Sequence, residues 1–378
     1  METAQSGRHV LVLIWRDTGH PLGGGSETYI ENIAEQLCAR GHRVTIFCSR
    51  YPGAHREERR GAVRFVRRGG RLTVYPWAAA LYLAGALGVG PLSRRRGRPG
   101  AIIDVCNGLP FLSRLYARIP VVALVYHVHR EQWPVVMGPR LARIGWWVES
   151  RLAPYVYRRN RYVTISEATR TELVTLGVGQ ERITVIYCGT PPVTGEPIPR
   201  DPYPSLVALS RLVPHKRMEL ALHAVAALRA EMPTLRLTVA GQGWWEPKLR
   251  ELVHALDIGD RVHFAGHVSD EAKHELLSRA WVSLMPSLKE GWGLVIVEAG
   301  ARGTPTVGMA SAGGVAEAVI DGETGLLATD EEHYVALVAE LLRDPERREA
   351  MGVLAAKHAL SFTWEHSGAR FAELVESL

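Results

Sequence analysis

Four clusters of residues have the types and spacing for chemistry on an anionic, polyhydroxylated ligand. Glu290-Gly291-Trp292-Gly293-Leu294-Val295-Ile296-Val297-Glu298 sets two carboxylates eight residues apart. One sits on a loop opened by glycines, the other about one turn into the helix expected to follow. Carboxylates so placed suit bidentate hydrogen bonds to sugar hydroxyls, and the N-terminus of that helix offers positive dipole to a phosphate. Ser210-Arg211-Leu212-Val213-Pro214-His215-Lys216 carries Arg211 and Lys216 five apart on a loop stiffened by Pro214. A guanidinium fork and an ammonium point charge could converge there on one diphosphate. Gly23-Gly24-Gly25-Ser26-Glu27 lies between a strand and a helix, where glycines admit close backbone approach and free N–H groups face an anion. Tyr126-His127-Val128-His129 ends another strand. His127 is expected to face a ligand and His129 to be a solvated neighbour. Taken singly, each cluster also has a plain reading: a tight turn, two solvated cations, a capping glutamate, a structural histidine.

Missing signatures narrow the chemistry. No G-x-x-x-x-G-K-[ST] run is present, which argues against a P-loop ATPase. The dinucleotide fingerprint breaks at Thr28, which stands where its third glycine belongs, and this argues against an NAD-linked dehydrogenase. No Asp-x-Asp pair is available to hold a divalent metal on a diphosphate. A pyrophosphate would therefore be neutralised by side chains and backbone dipoles, with neither metal nor cofactor expected.

Along the chain, strands and helices alternate and carry these residues at their ends. Strands are expected at His9–Trp15, Arg43–Cys48, Ile102–Cys106, Val121–Tyr126, Arg161–Ile165 and Ile183–Ile186, with a helix over Glu27–Arg40 ended by Gly41. Six prolines between Pro191 and Pro204 read as a linker. Beyond it the alternation restarts, with strands at Ser205–Ser210, Leu235–Ala240, Arg261–Ala265, Trp281–Met285 and Thr304–Val307. This predicts two α/β domains, 1–190 and 205–361, with a ligand site in the cleft between them.

Charge is unevenly shared. Residues 1–190 carry 27 Arg, no Lys and 13 acidic residues, a balance of +14, whereas the remainder balances at −8. So basic a half suits an anionic partner, although arginine-rich composition alone would look the same. Cys38, Cys48, Cys106 and Cys188 form no C-x-x-C pair and read as reduced thiols of a cytoplasmic protein. The apolar run from Val10 to Trp15 is a strand and not the core of a signal peptide. Val74–Ser93 is apolar but broken by Pro76, three glycines and Pro91, and Arg94, Arg95, Arg96 and Arg98 follow. It reads as a buried or interfacial helix and not a membrane span, with contact at the inner membrane face left open.

Together these motifs resemble the family 4 glycosyltransferases over nearly the whole chain. Gly24-Gly25-Ser26-Glu27 matches the family's Gly-Gly-x-Glu loop, Ser210 to Lys216 its Gly-Arg-Leu-x-x-x-Lys element, and Glu290 to Glu298 its E-x7-E motif. Gly313-Gly314-Val315-Ala316-Glu317 and Asp321 to Leu327 look like its late signature. Two departures stand out: Ser210 replaces the usual glycine, and Tyr187-Cys188-Gly189-Thr190 replaces the common Asn-Gly-Val. The resemblance implies a GT-B fold of two facing Rossmann-like, doubly wound domains. It also implies a C-terminal crossover helix, about residues 362–378, that packs back on the first domain.

It further implies a retaining, metal-independent transfer from a nucleotide diphosphate sugar to a hydroxyl acceptor. His127, Glu290, Arg211 and Lys216 form the candidate catalytic set. Gly24, Gly25, Arg211, Lys216, Val268, Glu290, Trp292, Gly293, Leu294 and Glu298 form the candidate donor site. Arg211 and Lys216 would neutralise the leaving diphosphate. Glu290 would hold the donor sugar, Glu298 the ribose, and Val268 would lie near the base. The motifs fix neither the donor's base and sugar nor the acceptor: a membrane lipid, an envelope glycan and a specialised metabolite all fit. A GT-B-like phosphorylase or epimerase, or a noncatalytic membrane-associated scaffold, are the alternatives. No nucleic acid partner is expected.

Overall fold

The computed structural model describes residues 7–93 and 97–378, so Arg94, Arg95 and Arg96 lie outside the described residues. The chain divides into two units: the first runs to Gly189 and takes in Trp364–Leu378, and the second is Thr190–Thr363.

In the first unit the apolar runs form short, mostly buried strands. The chain runs through β1 (His9–Leu13), α1 (Gly25–Ala39), β2 (Arg43–Cys48), β3 (Glu57–Arg60), β4 (Val63–Arg67), α2 (Val74–Ala86), β5 (Ala101–Val105) and β6 (Val121–Val125). Then come α3 (Trp133–Val136), α4 (Pro139–Trp147), a π-helical turn over Val148–Leu152, α5 (Ala153–Val156), β7 (Arg161–Thr164), α6 (Glu167–Thr175) and β8 (Ile183–Val185). The sheet order is β3-β4-β2-β1-β5-β6-β7-β8. All neighbours pair in parallel except β3 with β4. β1, β5 and β6 bury every residue, as strands covered on both faces do.

The β3–β4 hairpin was not expected, because its strands are charged. It turns at Gly61, whose φ of 54° an L side chain rarely adopts. The buried Arg67 guanidinium at the end of β4 is neutralised by Asp17 (Nε to Oδ2 2.6 Å) and Glu58 (Nη1 to Oε2 2.7 Å). A buried cation needs such partners, and here they join the edge hairpin to the loop after β1. The apolar segment expected to be buried or interfacial begins as α2, which sinks Val74 and Ala78 into the core and leaves Trp77 and Leu83 exposed. Among the described residues no helix is long and apolar enough to cross a membrane.

The second unit contains β9 (Ser205–Leu209), α7 (Met218–Leu228), β10 (Arg236–Ala240), α8 (Glu246–Ala255), β11 (Val262–Gly266), α9 (Asp270–Arg279) and β12 (Val282–Met285). It continues with α10 (Leu294–Gly300), β13 (Thr306–Met309), α11 (Gly314–Ala318), β14 (Gly325–Ala328), α12 (Glu331–Arg343) and α13 (Pro345–Ala359). Its parallel sheet has the order β11-β10-β9-β12-β13-β14, so the strand sequence reverses direction between β9 and β12. The proline-rich stretch belongs to this unit. Arg200 pins it there by donating to the carbonyls of Ser278, Ala280, Arg302 and Gly303 and to the Thr304 hydroxyl.

The last helix, α14 (Trp364–Glu376), returns to the first unit. Trp364 meets Tyr29 edge-on at 6.0 Å, and Gly368 lies so close to Gln36 that a Cβ would stand 2.3 Å from it.

Candidate active site

In the second unit the candidate residues collect at the carboxyl ends of the strands, beside the reversal between β9 and β12. Open α/β sheets bind ligands at such a point. Arg211 follows β9 and is exposed. The backbone of its loop is held from the next strand: Leu212 N donates to Gln242 O at 3.0 Å, and Trp245 N to Leu212 O at 3.1 Å. This approach requires glycines. A Cβ on Gly241 (φ 126°) would stand 1.8 Å from Ser210 O, and one on Gly243 would stand 2.0 Å from Leu212 O. The Gly241-Gln242-Gly243 loop thus braces the Arg211 loop, a role the sequence reading did not assign.

Lys216 ends a short 3-10 turn, and its Nζ lies 2.5 Å from Glu290 Oε1. Ser287 Oγ donates to the same oxygen at 2.7 Å. Burial works to raise the Glu290 carboxyl, but Lys216, Ser287 and His215 outweigh it and hold the group below its ordinary value. The Glu290 backbone pairs with the loop after β13: its N donates to Ala312 O, and its O accepts from Gly314 N. Gly314 permits this, since a Cβ there would lie 2.3 Å from Gly291 O. The Glu290 loop and the Gly313-Gly314 motif are therefore one structure.

Glu298 is buried on α10 and paired with Lys273 of α9, Nζ to Oε1 2.6 Å; Lys273 also reaches Asp270 at 2.9 Å. Burial pushes the Glu298 carboxyl up, with Lys273 offsetting part of the effect. Burial also opposes the Lys273 charge, yet Glu298 and Asp270 prevail and raise it. Lys273 was missed in the sequence. A glutamate inside an apolar helix demands a cation, and Asp270-x-x-Lys273 on the preceding helix was the available signal. Val268 lies half-buried just past β11. Gly293 (φ 90°) caps α10, and Leu294 begins it. The Trp292 ring is buried in edge contact with Phe362 at 5.0 Å, so a donor contact at this position falls to its backbone.

The first unit holds the remaining candidates. Gly24 N donates to Glu27 Oε2 at 2.8 Å, and Glu27 is buried against Arg16, Oε1 to Nε 2.9 Å. The motif's glutamate therefore serves its glycine loop and does not face outward. No Cβ clash guards Gly25. The Tyr126 hydroxyl donates to Ser26 O at 2.7 Å and ties this loop to the end of β6. His127 Nε2 lies 3.1 Å from Gln132 Oε1. His129, expected to be a solvated neighbour, is instead enclosed: its Nδ1 lies 2.7 Å from Glu149 Oε1 and its Nε2 2.9 Å from Asn107 Oδ1. The sequence could not show this, because Asn107 and Glu149 come from distant segments.

Two α/β units, each with a mostly parallel sheet and charged pairs at the strand ends, are the architecture of GT-B transferases. Residues 187–358, most of the second unit, match the model of glycosyl transferases group 1, and residues 23–193 match glycosyltransferase family 4. The chain is 29% identical over 382 residues to a GDP-mannose-dependent alpha-(1-6)-phosphatidylinositol monomannoside mannosyltransferase of Mycolicibacterium smegmatis, covering 94% of this chain and 95% of that protein. It is 31% identical over 266 residues to the GDP-mannose-dependent monoacylated alpha-(1-6)-phosphatidylinositol monomannoside mannosyltransferase of Corynebacterium glutamicum, covering 66% and 68%. Sucrose-phosphate synthase from Thermosynechococcus elongatus shares the fold, with a TM-score of 0.82, 21% identity and 98% coverage of both chains. The chain belongs to glycosyltransferase family 4. It is a nucleotide-sugar-dependent glycosyltransferase.

Proposed function

We propose that this transferase moves mannose from GDP-mannose to a hydroxyl of an anionic, lipid-linked acceptor, with retention of configuration and without a metal. The observation that carries the reading is the pairing of Lys216 with Glu290 at the β9–β12 reversal. It sets a phosphate-binding cation beside a carboxylate held ionised, the arrangement needed where a diphosphate leaves a sugar. Full-length similarity to a GDP-mannose-dependent enzyme supports the choice of donor. The absence of an Asp-x-Asp pair supports metal independence.

On this reading Arg211 and Lys216 stabilise the charge that develops on the leaving GDP, and Glu290 steadies the flattened, positively charged sugar. Glu298 binds the ribose, Val268 borders the base, and Gly25 meets the donor phosphate through its backbone. His127 serves the sugar and the acceptor. The acceptor oxygen bonds to the anomeric carbon as the carbon–oxygen bond to phosphate breaks, and the acceptor proton passes to a phosphate oxygen on the same face.

The first unit would meet the membrane through its basic surface. α4 leaves Leu141, Ile144 and Trp147 exposed at 59%, 59% and 56% on one side of the helix, with Arg140, Arg143 and Arg151 exposed around them. Such a face suits an anionic interface. The test of the donor and metal assignments is a thermal-shift panel of GDP, UDP and ADP, followed by GDP-mannose turnover in excess chelator. Selective stabilisation by GDP and turnover indifferent to chelator are expected. Stabilisation by UDP alone would overturn the donor, and manganese-restored turnover the metal independence.

A further inference from the structure

The residues around His129 form a network that the transfer chemistry described above does not use. Glu149 accepts three kinds of donor at once. The His129 backbone N–H approaches both carboxylate oxygens, at 3.1 and 3.2 Å, and His129 Nδ1 lies 2.7 Å from Oε1. Trp133 Nε1 donates to Oε2 at 2.7 Å. Because an ionised carboxylate only accepts, His129 Nδ1 must carry a proton, which fixes the ring's orientation. On the far side of the ring, Nε2 meets Asn107, from the segment just after β5. The His127 ring lies against this immobilised ring, with centroids 4.1 Å apart and planes tilted by 37°.

Glu149 reaches this position because the helix is irregular there. It lies in the π-helical turn Val148–Leu152, between α4 and α5. Such a turn inserts a residue into the helical phase, redirects side chains, and is frequent at functional sites. Gly145, one turn earlier, makes room for the Trp133 ring, since a Cβ there would stand 2.6 Å from two ring carbons. Trp133 can therefore lie flat on α4 and bring its N–H to the carboxylate.

We propose that Glu149 is a positioning residue for transfer. It clamps His129, and the His129 ring lying against that of His127, together with the Tyr126–His129 backbone, holds His127 in the orientation its role requires. The proposal rests on the reading that His127 serves the sugar and acceptor.

The test is a double-mutant cycle with GDP-mannose turnover, GDP affinity and thermal unfolding as readouts. His127→Ala should lower kcat. Glu149→Gln, which keeps the shape but loses one acceptor oxygen, should lower kcat about tenfold while GDP affinity stays unchanged. In the His127→Ala background the same Glu149→Gln change should cost less than about twofold, because its route to the reaction is already gone. Trp133→Phe, which removes the indole donor and keeps a ring, should give the same pattern more weakly and serves if Glu149→Gln does not fold. Losses that multiply in the double variant, or a fall in kcat that tracks lost GDP affinity and stability, would overturn the proposal while His127 keeps its role. Undiminished kcat in His127→Ala would remove the role of His127 itself.

Discussion

Replacing Lys216 by methionine separates what its ion pair does for the fold from what it does for the reaction. The Lys216 and Glu290 side chains are each 13% exposed and 2.5 Å apart, so removing the ammonium strands a carboxylate in a site too dry to solvate it fully. Ser287 remains as a donor, and the cost should be about 3 kcal/mol, at the lower end for a broken buried pair. For a unit of about 170 residues this corresponds to a fall in Tm of roughly 6–12 °C. Adding Glu290→Gln removes the stranded charge. A neutral pair of similar volume is close to neutral in stability, so Lys216→Met/Glu290→Gln should recover most of the lost Tm. Turnover should not recover, because the double variant lacks both the cation proposed to meet the phosphate and the carboxylate proposed to meet the sugar. Losing the cation alone should cost on the order of 2–4 kcal/mol in transition-state stabilisation. Scanning calorimetry beside GDP-mannose kinetics reads both quantities. An unchanged Tm in Lys216→Met would refute the argument from burial. Restored turnover in the double variant would refute the catalytic assignment.

The pH profile follows from the same pair. The Glu290 carboxyl is held below its ordinary value, so it stays ionised as pH falls and its protonation should end activity only below the usual carboxylate range. In Lys216→Met the effect of burial is largely unopposed, and the acid limb of residual kcat should move to higher pH; a limb that moves down or stays still would contradict this. Glu290→Gln should leave GDP affinity nearly intact while kcat falls, whereas Glu298→Gln should weaken GDP binding. Calorimetry showing the reverse would exchange the two roles. Flotation with anionic and neutral vesicles should show binding only to the former. Arg140→Glu with Arg143→Glu should reduce that binding by roughly 1 kcal/mol or more per charge, and equal binding to both vesicle types would refute the basic face as a membrane contact.

The parts of the fold that read clearly from the sequence were those whose signal is apolar. β1, β5, β6, β9 and β12 are predominantly hydrophobic runs, and each forms within one or two residues of its expected bounds. The β3–β4 hairpin was invisible because Glu57-Glu58-Arg59-Arg60 and the arginines of β4 look solvated until their partners, Asp17 among them, are known. β14 was hidden for another reason: Gly325-Leu326-Leu327-Ala328 is a four-residue run opened by a glycine, and it overlaps the motif ending at Leu327. At the candidate site the sequence offered the two glutamates, Arg211 and Lys216, because charged residues beside glycines at strand ends are unusual. It did not offer Lys273, whose meaning depends on a carboxylate 25 residues away. Nor did it offer Glu149, which meets His129 from a π-helical turn twenty residues further along the chain. Such long-range pairings leave no periodic trace.

The return of α14 to the first unit has a consequence for biosynthesis. The ribosome makes the whole second unit before the helix that completes the first. At roughly 5–20 residues per second, α1 waits on the order of 15–65 s for its partner, with the surface around Tyr29 and Gln36 uncovered. The second unit, contiguous in sequence, can close without such a delay. A nascent chain therefore passes through a stage in which the second unit is finished and the first, made earlier, is not. A stop codon just before Trp364 would spare the domain nearest to it and cripple the one furthest away.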